Sequence, residues 1–249
     1  SGKYVVCFWL FALFILSYVF NFIALLQYKT NDLFYHINRV TDSLGFHQFA
    51  KTLIASNFIG AGVFNQEPGY SYFLAIVIKL FGDNIFIIRL IQIFIGSLTV
   101  VTVYFIGLML YRKFIPAVIG ALMLAFCGVA IYYNLLLLRT FLAGFSITFA
   151  IFIFFTAIEI EKPNSRFIWF IAGSVSALAF FIQPNSISVI ISVIFFLVFK
   201  KYRKSTIAFF CAGVIVIILL LLVRNILADA PVLSFSNKGP AEFASGNIL

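Results

Sequence analysis

Three of the chain's eight acidic residues, Asp32, Asp42 and Glu67, fall in one polar stretch between Gln27 and Gly69. Asp42, Phe46 and Phe49 stand at i, i+4 and i+7, so a helix there carries all three on one face. A carboxylate beside aromatic rings at a membrane surface loses hydration. That raises its proton affinity and suits a general base acting on a hydroxyl. The plain alternative is a solvated helix carboxylate with no chemical task. His36 and His47 lie nearby, but their spacing matches no metal-ligand pattern, so no metal centre and no cofactor are expected. Glu67 raises a different question. It opens the stretch EPGYSYFLAIVIKLF, a proline-started apolar run shorter than the roughly 20 residues that a spanning helix needs.

The elements that must position these groups are apolar helices. Of the 249 residues, 63% are hydrophobic and 19% aromatic, against 10% charged. A water-soluble domain of this size cannot hide so much apolar surface. The implied solvent is lipid, and repeated apolar runs of about 18 residues or more imply a multi-span helical protein. The spans are read as Tyr4–Leu26, Ile85–Tyr111, Ile115–Tyr133, Phe141–Ile158, Phe167–Ile182, Ile187–Phe199 and Thr206–Val223. A net charge of +9 would suit nucleic acid in a soluble protein. Here the basic residues sit in short loops between spans, where they set orientation and touch lipid headgroups, so no nucleic-acid partner is expected. Cys7, Cys127 and Cys211 lie inside apolar runs, without CxxC spacing, and read as small buried hydrophobes.

Charge also sets the topology. Arg112-Lys113, Lys162 with Arg166, and Lys200-Lys201-Tyr202-Arg203-Lys204 belong in the cytoplasm with Lys3 by the positive-inside rule. The chain then crosses once between Glu67 and Arg112, and Tyr70–Phe81 is a juxtamembrane or re-entrant helix. The fold class is an all-α membrane protein of about seven transmembrane helices. Residues 1–224 form the transmembrane module, with an outer loop at 27–69 and the short helix at 70–81. Residues 225–249 begin an outer segment, and the ends, Ser-Gly-Lys and Asn247-Ile248-Leu249, read as those of a fragment. Four polar places share the outer face: 30–67, 134–140, Gln183-Pro184-Asn185 and the tail from Asn225. In the outer loop, Leu33, Ile37, Val40 and Leu44, then Phe46, Phe49, Leu53 and Ile54, recur at helical spacing. They predict amphipathic helices along the membrane surface. Arg89, near the start of a span, is expected to pair with Asp83 or a headgroup.

Asp42-Ser-Leu-Gly-Phe46-His-Gln-Phe49-Ala50 resembles the Asp-x-x-x-Tyr-x-x-x-Ala segment in the first outer loop of GT-C superfamily glycosyltransferases. The nearest group is the polyprenyl-phosphate-sugar-dependent branch, with protein O-mannosyltransferases and the lipid A aminoarabinose transferase. Also similar to that family, and in its order, are Glu67-Pro-Gly-Tyr-Ser-Tyr-Phe-Leu-Ala, Phe81-Gly82, Arg89-Leu-Ile-Gln92 with Gly96-Ser-Leu-Thr, Leu135 to Thr140, and Gln183-Pro184-Asn185. The tail from Arg224-Asn225 resembles the start of the family's outer segment. Each motif is short; their order over nearly the whole chain carries the resemblance.

The resemblance implies inverting transfer of a sugar from a polyprenyl-phosphate donor to a lipid, glycan or protein acceptor at the outer face. Asp42 matches the family's active-site Asp and would activate the acceptor nucleophile. The lipid phosphate leaving group calls for a cation. Relatives such as the aminoarabinose transferase carry Lys before the matching proline, where this chain has Glu67; either another cation serves, Arg139 first and Lys51 second, or Glu67 contacts the acceptor. Arg139 is alternatively an interfacial side chain reaching for water. Phe46 stands where Tyr is common, and Gln183 where some relatives carry Arg. The expected substrate-binding residues are Phe46, His47, Glu67, Arg139 and Gln183, and the expected setting is a bacterial or archaeal plasma membrane. The rival reading from another class is a transporter or flippase of lipid-linked sugars. Transporters carry charges or broken helices near mid-membrane, often in repeated halves. Polar groups clustered on one face, with no repeat, favour an enzyme.

Overall fold

The structure is a computed structural model and describes residues 2–30, 35–37, 42–160 and 165–236. Among these residues the regular structure is all helical. The helices are α1 (Gly2–Lys29), α2 (Ser43–Ala55), α3 (Pro68–Phe81), α4 (Ile85–Tyr111) and α5 (Phe114–Ala125). Then follow α6 (Gly128–Leu135), α7 (Thr140–Glu159), α8 (Ser165–Ile182), a 3-10 turn (Pro184–Ser186), α9 (Ile187–Phe199) and α10 (Lys204–Leu227). The first amphipathic pattern expected in the outer loop, Leu33 to Leu44, falls half outside the described residues, Leu33 and Val40 among those left out.

Among the described residues, four helices are long and apolar enough to cross a bilayer: α1 from Val6, α4, α7 and α10. A fifth span results if α5 and α6, bent by 52°, count as one. The expected count of about seven is not confirmed, and local breaks are the reason. The run Ile115–Tyr133 is interrupted at Phe126-Cys127, where Cys127 takes an extended backbone. Pro184 offers no amide hydrogen and starts a new turn, which leaves Arg166–Ile182 and Pro184–Phe199 as shorter apolar helices.

Punctuation residues bound α3 and α4. Pro68 occupies the first turn of α3, where a missing N–H costs nothing. Gly82 closes that helix at φ +83°, a conformation open to glycine. Asn84 then caps α4, its side-chain oxygen accepting from the amides of Phe86 at 2.9 Å and Ile87 at 3.4 Å. α4 is the central helix and packs against α1, α3, α5, α6 and α7. α8 and α10 approach closely through glycines. A side chain at Gly173 would collide with the Phe210 backbone, and one at Gly213 with the Phe170 backbone. Between lipid-embedded helices such small residues let backbones touch, and dispersion drives the association.

The apolar face of α2 does not lie bare. Phe46, Ala50 and Leu53 are buried in one cluster with Tyr70 and Leu74 of α3 and Phe141 of α7. That cluster, at one end of the bundle, carries the polar groups described next.

Candidate active site

Glu67 and Arg139 form an ion pair. Each is the residue before a helix, Glu67 leading into α3 and Arg139 into α7. The residue before a proline is held extended, and Glu67 takes φ −60°, ψ 130°. The two side chains are 9% and 19% exposed. A carboxylate so buried is costly alone, and the guanidinium offsets that cost.

Both halves of this pair are tied to α4. Gln92, fully buried, accepts from the Tyr70 hydroxyl at 3.0 Å. Its amide nitrogen donates to the carbonyls of Asn134 (3.2 Å) and Leu136 (2.7 Å). Arg89, one helical turn earlier, donates through Nε to the Leu135 carbonyl and through Nη2 to the Tyr35 carbonyl, both at 2.8 Å. Its guanidinium also lies over the rings of Tyr28 and Tyr35. The carbonyls of 134–136 are ones that the end of α6 leaves without helical partners, and in an apolar interior they need donors. This corrects the expectation that Arg89 pairs with Asp83. Arg89 points into the bundle because unmatched carbonyls are there.

Asp83, in the α3–α4 turn, instead binds α2. One carboxylate oxygen meets His47 Nε2 at 2.6 Å, and the other meets Lys51 Nζ at 2.6 Å. Burial pushes this carboxyl up, but the hydrogen bonds from Lys51 and His47 outweigh burial and hold it below its ordinary value. His47, expected at the substrate, thus fastens α2 to the α3–α4 turn.

Asp42 is the N-terminal cap residue of α2 and is exposed, its carbonyl accepting from the Phe46 amide at 3.1 Å. Phe46, one turn on, is buried edge-on against Tyr70, ring centroids 5.0 Å apart. A methyl group at Gly45 would lie 3.4 Å from the side-chain oxygen of Gln66, the neighbour of Glu67. The head of α2 therefore meets the head of α3. Gln183 is half-buried at the end of α8. Its neighbour Ile182 packs so tightly on Gly69 that a side chain there would collide with it.

Arg224 and Gln92 were given no role by the sequence reading. Arg224, near the end of α10, donates to the carbonyls of Ile59 at 2.6 Å and Gly62 at 2.8 Å. Its guanidinium also stacks 3.8 Å from the centroid of Phe64. It staples the α2–α3 connection to α10. The available signal was a basic residue closing a long apolar run, which needs a polar partner. A groove of about 440 Å³ runs between α3, α8 and α10, lined by Gly69, Tyr72, Phe73, Leu178, Ile182 and Arg224. It is almost wholly apolar, apart from Arg224 at its polar end. At the opposite end of the bundle, Arg112 pairs with Glu159 at 2.8 Å.

The helical bundle thus gathers a buried ion pair, an exposed carboxylate at the head of α2 and an apolar groove at one end. The chain belongs to the dolichyl-phosphate-mannose-protein mannosyltransferase family, of GT-C type, whose sequence profile matches residues 65–227. Membership makes it a membrane glycosyltransferase with a mannosyltransferase-like activity and implies a lipid-linked sugar donor. The matched stretch includes Glu67, Arg139 and Gln183 and excludes α2 with Asp42, Phe46 and His47. No curated protein and no solved structure matches the chain.

Proposed function

We propose that this chain is the membrane module of an inverting transferase that moves a sugar from a polyprenyl-phosphate donor to a lipid, glycan or protein acceptor. The site faces outward at a bacterial or archaeal plasma membrane. What supports the reading is the family membership together with one juxtaposition. The head of α2, with Asp42, docks against the head of α3, whose Glu67 pairs with Arg139.

Asp42 accepts the proton of the acceptor hydroxyl as its oxygen attacks the anomeric carbon. The bond from that carbon to the phosphate oxygen breaks on the opposite face, and the lipid phosphate leaves with the electron pair. Arg139 stabilises the charge developing on that phosphate. Glu67 orients the guanidinium and Gln183 shapes the wall beside the sugar, while Phe46 and His47 hold the head of α2 in place through Tyr70 and Asp83. The polyprenyl chain stays in the bilayer beside the site.

The test is a panel of polyprenyl-phosphate sugars offered to the full-length protein, with sugar release or transfer as the readout. Wild type is expected to use at least one donor. Asp42→Asn is expected to lose about 10²- to 10⁴-fold in rate, the usual contribution of a general base, with membrane insertion unchanged. Full activity in Asp42→Asn overturns the base assignment.

A further inference from the structure

We infer that Gln92 is a positioning residue for the Glu67–Arg139 pair. The inference rests on reading that pair as part of the transferase site.

Gln92 lies inside the most central helix, between Ile91 and Ile93 in an apolar run, and none of it is exposed. A buried amide in such a place is tolerated only when its polar atoms are matched. Gln92 meets that condition in full. Both amide hydrogens go to carbonyls, of Asn134 and Leu136, and its oxygen accepts from Tyr70. The orientation is chemically forced, because a backbone carbonyl can only accept and so must face the NH₂ end.

Capping the end of α6 needs only that NH₂ end. The oxygen does something further. Tyr70 lies three residues after Glu67, and Leu136 lies three residues before Arg139. One side chain thus grips both segments that deliver the ion pair, each at the same short distance along the chain. Tyr70 is itself wedged between Phe46, Phe73 and Phe141, so its hydroxyl has little freedom to seek another partner. Arg89 holds the Leu135 carbonyl from the same face of α4. Three successive carbonyls are therefore fixed to α4, and the first turn of α3 is fixed to the same amide. Replacing Gln92 by a residue of similar size that cannot bond leaves carbonyls and hydroxyl unmatched and lets the two segments move independently.

The experiment measures that geometry directly, in the full-length protein in membranes. Cys7, Cys127 and Cys211 are replaced by Ala, Glu67→Cys and Arg139→Cys are introduced, and a short bis-maleimide links the two thiols. With Gln92 intact, linking is expected to be fast. Gln92→Leu is expected to slow it roughly five- to a hundredfold, the span that follows from stranding buried hydrogen-bonding groups. Tyr70→Phe, which severs only the α3 arm, is expected to slow it less. With native Glu67 and Arg139, Gln92→Leu is expected to lower kcat for the donor with KM little changed. Linking at the wild-type rate in Gln92→Leu overturns the inference, whatever the activity. If Gln92→Leu does not accumulate in membranes, Tyr70→Phe decides: slower linking supports the inference and an unchanged rate overturns it. A wild-type protein that uses no polyprenyl-phosphate sugar overturns the transferase reading while the linking result stands.

Discussion

Arg139 pairs with Glu67 across the starts of two helices, and both side chains are largely buried. Removing one partner strands the other charge, which costs on the order of 3 kcal/mol when the site is buried. Arg139→Ala and Glu67→Ala are each expected to lower the thermal unfolding temperature in detergent. The exchange Glu67→Arg with Arg139→Glu is expected to recover most of that loss. Thermal unfolding of the four proteins checks this. An exchange no better than the single substitutions would show that the pair is not a unit of stability.

The Asp83 carboxyl is held below its ordinary value in the folded protein. A depressed carboxyl contributes stability above its unfolded value, and that contribution is lost as pH falls through the folded value. The window is therefore acidic, below about pH 4. Because the side chain is 36% exposed, solvent and salt screen the effect and it is small. Asp83→Asn is expected to flatten the acid limb of a stability profile below about pH 4. An acid limb identical to that of wild type would remove the role given to the His47–Asp83–Lys51 contact.

The proposed outward-facing site makes a prediction about orientation in the bilayer, drawn from the basic loops. In a background without the native cysteines, a cysteine at Ser205 is expected to resist an impermeant thiol reagent added from outside. One at Ser245 is expected to react. The reverse pattern would place the Glu67–Arg139 end in the cytoplasm and reject the outward-facing site.

Much of the scaffold was legible because apolar runs and punctuation residues are local signals. The span Ile85–Tyr111 emerges with the bounds read from the sequence, since Asn84 and Arg112 bracket a long, mostly apolar run. The start of α3 at Pro68 was legible for the same reason. The kink between α5 and α6 was not, because Phe126-Cys127 is as apolar as its surroundings and only the backbone turns there.

The candidate site divides along the same line. The sequence by itself determined that charged residues lie at the ends of an apolar bundle, because polar groups are expelled from lipid to helix ends. It also singled out Asp42, Glu67 and Arg139. Only the tertiary structure decided who meets whom: Glu67 with Arg139, Asp83 with His47 and Lys51, Arg89 and Gln92 with the carbonyls that end α6, and Arg224 with the α2–α3 connection. The physical reason is that a polar side chain in an apolar run announces a need for a partner. The partner is a carbonyl or charge brought near by packing, and nothing in local spacing encodes it.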